Sequence, residues 1–304
     1  MASKQNLIII AGPTAVGKTA MSIQLAKHYK CPIISADSRQ FYKEMNIGTA
    51  KPTVEEMQNV PHFFIDTISI RDSYNVGQYE RDVILKLEEL FKDHEQLILV
   101  GGSGLYINAI MNGVDEFERI PNHIRESLIQ AYTEKGLIYL QNELKKQDED
   151  YYNQVDLNNP HRMMRALEVC IYTNKPFSQF RTKQKKERSF NTIPILINTN
   201  RELLYTKINQ RVDIMMKNGL FDEVKSLYPY KLLNALNTVG YKELFDVIDG
   251  NTSLENAVNL IKQNTRRYAK RQLTWFNHQG EYESFEPTDT EKLKAYLDIV
   301  LQYS

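Results

Sequence analysis

Cysteine is scarce in this sequence: 304 residues hold only Cys31 and Cys170, far apart along the chain. Two thiols so placed support neither a disulfide framework nor a multi-cysteine zinc site, and they fit a reducing, cytoplasmic setting. Net charge is also missing, with Lys+Arg and Asp+Glu at 38 each. That balance excludes a protein that is basic all over and holds nucleic acid by bulk charge, but not one with a local basic face. No stretch reaches the roughly eighteen apolar residues that a membrane span requires. Residues 1–6 are short and polar and lead straight into an apolar run, so no secretory leader is read there. Internal repeats are absent as well. The length allows one large domain or two smaller ones.

What is present begins with alternating apolar runs and helical patterns, the mark of βαβ units and a parallel sheet. A strand is expected over 7–10, a helix over 18–28, and a strand over 32–36 that delivers Asp37 at its carboxyl end. Val76, Tyr79, Val83, Leu87, Leu90 and Phe91 recur at helical spacing. A buried-type strand over 97–100 follows, closed by Gly101 and Gly102. Ligands of such sheets sit beyond the carboxyl ends of the strands, so three loops should converge on one edge. From about residue 113 strand signals give way to polar helical stretches, including 124–147 and 161–174. The expected organisation is an α/β core from 1–112 and 190–304, interrupted by a helical insertion over 113–189. A strand returns over 193–198, and long helices over 202–228 and 253–276 close the chain. The charged run 183–188 reads as a solvated loop, with contact to a polyanion as the alternative.

Gly12-Pro13-Thr14-Ala15-Val16-Gly17-Lys18-Thr19 matches G-x-x-x-x-G-K-[ST] in full, between a strand and a helix. Its glycines let backbone N–H groups curl around phosphate oxygens, and the helix N-terminus adds a favourable dipole. Lys18 supplies a mobile charge, and the Thr19 hydroxyl can ligate Mg²⁺. The motif specifies a di- or triphosphate without saying which. Asp37 stands opposite at a strand end, where a carboxylate can take a proton from an attacking group, cap a helix or hold Mg²⁺ indirectly. Gly101-Gly102-Ser103-Gly104 is a second glycine-rich turn, which permits close approach of backbone to ligand and offers the Ser103 hydroxyl.

Two groups of cations stand out in the rest of the chain. Lys262, Arg266 and Lys270 are spaced by four, with Arg267 and Arg271 beside them, and Tyr268, Trp275 and Phe276 nearby. They form either a polyphosphate track that weakens with salt or a solvated cationic face. His161 and Arg165 share a helix face with Arg162 next to them. That face can contact RNA, or it can be an ordinary surface helix with an Arg165–Glu168 pair.

Taken together and in order, these segments resemble the tRNA dimethylallyltransferase family. The N-terminal matches are residues 12–19, Ser-Ala-Asp-Ser-Arg-Gln at 35–40 and Ile-Gly-Thr-Ala-Lys-Pro at 47–52. The remainder are Val-Gly-Gly-Ser-Gly-Leu-Tyr at 100–106, Arg-Ala-Leu-Glu-Val at 165–169, Gly-Tyr-Lys-Glu at 240–243 and Thr-Arg-Arg-Tyr-Ala-Lys-Arg-Gln-Leu-Thr-Trp-Phe at 265–276. The resemblance implies a P-loop NTPase-like α/β fold, a parallel sheet flanked by helices with an all-helical insertion. It implies transfer of a dimethylallyl group from dimethylallyl diphosphate to N6 of the adenosine 3′ of the anticodon, with Mg²⁺, by a cytoplasmic monomer. Residues 12–19 and Arg201 would hold the diphosphate, Thr19 the metal, and Asp37 would accept the N6 proton with Ser103 beside it. Asp37, Ser38, Arg39, Gln40 and Ser103 would meet the extruded base. Arg125, the segment His161, Arg162, Met163, Met164 and Arg165, and Arg266 with Lys270 would meet the anticodon stem-loop.

The chain departs from the family pattern in a few places. Phe63 and Phe64 stand where the family usually has His and Leu, Ser103 where it has Thr, and Asn174 where Gly is common. Cysteines for the zinc finger of eukaryotic relatives are missing, which points to the bacterial type. Three other readings use part of the same residues: a P-loop small-molecule kinase, an NTP-gated RNA-binding module, and a prenyltransferase acting on free nucleotides.

Overall fold

The structure is a computed structural model, and it describes residues 5–115, 120–181, 185–279 and 282–303. The chain divides into two compact units, Met1–Asn112 with Glu187–Ser304, and Gly113–Lys186.

The first unit opens with β1 (Asn6–Ala11), whose six residues are all buried. An unbroken apolar run of this kind suits a central strand covered on both faces. α1 (Lys18–Tyr29), β2 (Ile33–Ser35), the single turn α2 (Val54–Met57) and the two-residue β3 (His62–Phe63) follow. Then come α3 (Val76–Leu90), capped by a reciprocal Asn75–Gln78 box, β4 (Gln96–Gly101) and α4 (Gly104–Asn112).

The second unit is α5 (Asn122–Lys135), α6 (Leu137–Gln147), the short α7 (Glu149–Tyr152) and α8 (Pro160–Thr173). Leu128, Leu140, Leu144, Met163, Leu167 and Phe177 are part of its own core.

The chain then returns to the first unit with β5 (Asn191–Ile197), α9 (Arg201–Lys217), α10 (Leu220–Leu227), α11 (Tyr241–Ile248), α12 (Leu254–Gln279), β6 (Glu283–Phe285) and α13 (Thr290–Tyr303). The strands form one sheet in the order β3-β2-β4-β1-β5-β6, with every pairing parallel. Because β2, β4 and β1 are neighbours, the loops that leave their carboxyl ends lie side by side. A second apolar cluster, built from Val212, Leu220, Val224, Leu236, Tyr241 and Ile261 among others, joins α9 to α12.

Two helices expected as continuous are broken. The 124–147 stretch ends one helix and starts another at Gly136 (φ 72°), and the 202–228 stretch does the same around Gly219 (φ 95°). Both glycines take a backbone that other residues rarely adopt, which reverses the chain. α11, β6 and α13 carried no signal strong enough to be expected. Lys183, in the charged run, lies outside the described residues. Arg188 at the end of that run is not solvated. Its guanidinium donates to Glu80 at 2.8 Å and to the carbonyls of Ala109 (2.7 Å) and Ile110 (2.8 Å).

Candidate active site

The P-loop runs into the N-terminus of α1. α1 begins at Gly17 (φ 116°), with no side chain capping its first amides and no acidic residue in its first turn. Those N–H groups are therefore not consumed internally, unlike those of α3, α8 and α9, which asparagine side chains cap. Lys18 Nζ lies back along the loop and donates to the carbonyls of Gly12 (2.9 Å) and Pro13 (2.7 Å). Burial lowers its pKa to about 7; nearby Arg211 pushes the same way and Asp37 opposes.

Arg211, ten residues into α9, is the cation that the sequence pattern did not single out. Its Nη1 donates to Thr14 Oγ1 at 3.2 Å. Burial lowers its pKa, while Asp37 and Glu56 partly offset that effect. Two cations thus share a poorly solvated corner in which Asp37 is the carboxylate near both. An anion entering there gains Coulomb energy that water would otherwise screen. Arg201 is exposed at the start of α9 and stacks on the Tyr205 ring, 5.1 Å from its centroid.

Asp37 follows β2 and is half-buried, its Oδ1 accepting the N–H of Arg39 at 2.9 Å. The Ser103 hydroxyl supports the same loop by accepting the Ser38 N–H at 3.0 Å and meeting Ser38 Oγ at 3.2 Å. Tyr268 of α12 hydrogen-bonds Ser103, and its phenol is pushed up to about 12, by burial first and by Asp37 next. The glycines of the second turn make room for protein rather than ligand. A Cβ at Gly101, Gly102 or Gly104 would lie 2.3 Å from the Ala36 carbonyl oxygen, 2.3 Å from Gln272 Nε2 and 2.1 Å from the Trp275 indole, respectively.

Asp37, Thr14, Arg211 and Tyr268 border a cavity of about 640 Å³. Thr14, Asp37, Ser38, Arg211, Tyr268 and Arg271 form its polar wall, and Val212, Met215, Leu220 and Val239 an apolar one. Arg39 also lines it and donates to the Asn234 carbonyl at 3.2 Å. Gln40 is a structural tie instead. Its amide holds the carbonyls of Thr49 (3.3 Å) and Ala50 (3.2 Å) and meets Ser35 Oγ at 3.3 Å. The lysine of the 47–52 segment is likewise committed, since Lys51 holds the Tyr42 carbonyl, Asn46 and Asp66. Phe64 packs edge-on against Tyr79, with ring centroids 5.7 Å apart, and Phe63 lies beneath Lys86. Both departures from the family pattern are therefore packing residues.

On α12 the expected basic stripe divides. Lys262 pairs with Asp213 at 2.6 Å, and Arg266 donates to Asn209 at 2.6 Å. Arg267, Lys270 and Arg271 are exposed. In the helical unit His161 and Arg162 are exposed, whereas Met163 and Met164 are buried in its core. Arg125 and Arg165 both pair with the buried Glu168, at 2.6 and 3.1 Å, which ties α5 to α8.

For a metal, the described residues hold no group of three His, Cys, Asp or Glu side chains suited to an ion. Thr19 is exposed on the first turn of α1. A single hydroxyl beside a phosphate site suits Mg²⁺, which keeps several waters and takes its remaining oxygens from substrate phosphates. It does not suit an all-protein cage.

A P-loop facing a strand-end carboxylate across a cavity is shared by many enzymes. Comparison with known proteins narrows the choice. A family model described as IPP transferase matches residues 40–279. The tRNA dimethylallyltransferase of Christiangramia forsetii is 54% identical over 286 residues, covering 94% of this chain and 95% of that one. That of Flavobacterium johnsoniae is 49% identical, covering 96% of each. Among solved structures, the tRNA isopentenylpyrophosphate transferase of Bacillus halodurans superposes with a TM-score of 0.73 at 36% identity, over 99% of this chain and 98% of that one. A eukaryotic dimethylallyltransferase acting on tRNA gives 0.80 at 27% identity, over 94% and 75%. The family model spans the long C-terminal helix and the relatives cover nearly the whole chain, so the chain belongs to the IPP transferase family, alongside the tRNA dimethylallyltransferases.

Proposed function

We propose that this protein transfers a dimethylallyl group from dimethylallyl diphosphate to the exocyclic N6 of the adenosine 3′ of the anticodon, releasing diphosphate. The observation that carries the reading is the cavity wall on which Asp37 stands beside Thr14 of the P-loop and Arg211. In the reaction N6 attacks the allylic C1, the C1–O bond breaks, and its electron pair leaves on the diphosphate. The N6 proton passes to Asp37. An aromatic amine is a weak nucleophile, so a carboxylate within hydrogen-bond reach assists the attack. The free backbone amides from Ala15 to Thr19, with Lys18 and Arg211, hold the diphosphate and meet the charge that grows on it. A Mg²⁺ ion held by Thr19, water and the diphosphate itself would add charge neutralisation at the leaving group.

The base must leave the anticodon-loop stack to reach Asp37, which costs a few kcal/mol. Contacts to the splayed loop and its phosphates offset this. The cations Arg39 at the cavity wall, Arg267, Lys270 and Arg271 on α12 and Arg162 on α8, with the neighbouring imidazole of His161, are exposed or half-exposed side chains suited to that task. Arg125, Arg165 and Arg266 reach RNA only by sharing or releasing their present partners.

The test is nucleoside mass analysis of unmodified tRNA incubated with the protein, Mg²⁺ and dimethylallyl diphosphate. An isopentenyladenosine peak with the wild type, absent with Asp37→Ala, is expected. No peak with the wild type would overturn the reaction, and a peak that survives in the variant would remove Asp37 as the base.

A further inference from the structure

α12 carries a buried glutamine that touches two of the three loops at the site. Gln272 Oε1 accepts the backbone N–H of Thr14 at 2.9 Å, across 258 residues of sequence. Its Nε2 donates to the carbonyl of Gly102 at 2.8 Å, across 170. The side chain is 7% exposed, so neither bond competes with bulk water. Gly102 is shaped to this contact, because a Cβ there would lie 2.3 Å from Nε2.

Each end of the bridge reaches a catalytic group in one further step. On the P-loop side, the Thr14 hydroxyl accepts Arg211 at 3.2 Å. On the other side, the residue after Gly102 is Ser103, whose hydroxyl takes the Ser38 N–H next to Asp37. Only a group with an acceptor and a donor a few ångströms apart can make both bonds. An amide does so; a carboxylate lacks the donor, and a thioether lacks it too. The Thr14 N–H is spent on Gln272, so this amide serves to hold the loop in place rather than to bind phosphate.

We infer that Gln272 is a positioning residue that sets the register between the diphosphate loop and the Gly102–Ser103 turn, which in turn holds the Asp37 loop through Ser38. It thereby sets the distance between leaving group and base. The inference rests on the transfer reaction proposed above. Its consequence is a split in kinetics. Losing the bridge leaves each loop able to bind its own ligand but lets the two drift relative to each other. A misplacement of about 1 Å lowers turnover roughly 100-fold.

The experiment uses the full chain with Gln272→Met, Gly102→Ala and the double variant. Gln272→Met is expected to lower kcat for tRNA prenylation about 100-fold, with pyrophosphate Kd and KM for tRNA changed less than about threefold. Gly102→Ala displaces the same amide and should show the same signature. The double variant should be no slower than either single one, because both break one bridge. Unchanged kcat, a pyrophosphate affinity that falls as far as kcat, or losses that multiply in the double variant would each overturn the inference. Hydrogen exchange of the Thr14 amide, read without substrate, must quicken in Gln272→Met, and unchanged exchange also overturns it. That readout judges the bridge even if the wild type transfers no prenyl group, a result that would sink the reaction instead. Should Gln272→Met fail to fold, Gln272→Glu, which keeps the acceptor and lacks the donor, is read in the same way.

Discussion

Arg211 offers a sharp test of the electrostatic argument, because its effect on the protein alone and on the complex should differ. Arg211 and Lys18 stand near one carboxylate, and burial disfavours the charged form of both. Replacing Arg211 by Met keeps an apolar stem of similar length while removing one poorly solvated charge and its repulsion on Lys18. The change also removes the bond to Thr14 Oγ1, worth about 1–3 kcal/mol for a charged donor. The two effects oppose, so the free protein should change by less than about 1 kcal/mol, or about 2 °C in Tm. The complex has no such compensation. Two charge-assisted bonds to diphosphate, at about 1.5–2 kcal/mol each, amount to a Kd weakened roughly 100- to 1,000-fold. The assay is thermal unfolding with and without pyrophosphate and Mg²⁺. At about 100 times the wild-type Kd, the ligand stabilises the wild type by about 2.7 kcal/mol; the variant, then at or below its own Kd, gains about 0.4 kcal/mol or less. A variant that keeps the wild-type increment would remove Arg211 from the diphosphate site. A loss of several kcal/mol without ligand would show instead that Arg211 is held for stability.

Three further outcomes are expected. Replacing Arg267, Lys270 and Arg271 by Ala should flatten the salt dependence of tRNA binding by about 0.7–0.9 for each phosphate no longer neutralised, whereas changing the paired Lys262 should alter the slope little; equal slopes for the two variants would take the exposed stripe out of the RNA track. Arg188→Met should destabilise the protein by about 3–5 kcal/mol in denaturant unfolding, since it strips the guanidinium from a buried carboxylate and from two buried carbonyls, and a loss under about 1 kcal/mol would contradict that. Burial pushes the Cys31 thiol up to about 12 from an ordinary value of 9.0 and raises Cys170 as well. The unfolded thiols ionise first, so this contribution to stability is whole below pH 9 and lost as pH climbs toward 12. Native protein at pH 8.5 should accordingly resist a thiol-specific reagent that labels both residues after unfolding, and rapid native labelling would refute the burial argument.

The edge on which the site lies was legible from sequence because its loops are local objects. An apolar strand, a glycine turn and a helix start adjoin within a dozen residues at the P-loop, and the same pattern recurs around Asp37 and Ser103. The helical period along α12 was legible too: Ile261, Thr265, Tyr268, Gln272 and Trp275 recur along one side of a helix. What that face meets was not. Tyr268 and Trp275 read as packing residues and Gln272 as one letter of a motif, yet they adjoin Ser103, Gly104 and Thr14. The division of the cation stripe was hidden for a related reason. Spacing by four aligns Lys262 and Arg266 with Lys270, but it cannot show that Asp213 and Asn209 of α9 occupy the first two.

Family, fold class and the phosphate-binding loop followed from the sequence by itself, since they depend on contiguous residues whose backbone preferences and apolar periods are short-range. Tertiary structure alone decided that Arg211 reaches the P-loop at Thr14 and which side chain joins the two loops. Those outcomes depend on how helices formed far along the chain pack across the sheet edge. Hydrogen bonds such as Gln272 to Thr14 exist only once that packing brings their partners within 3 Å.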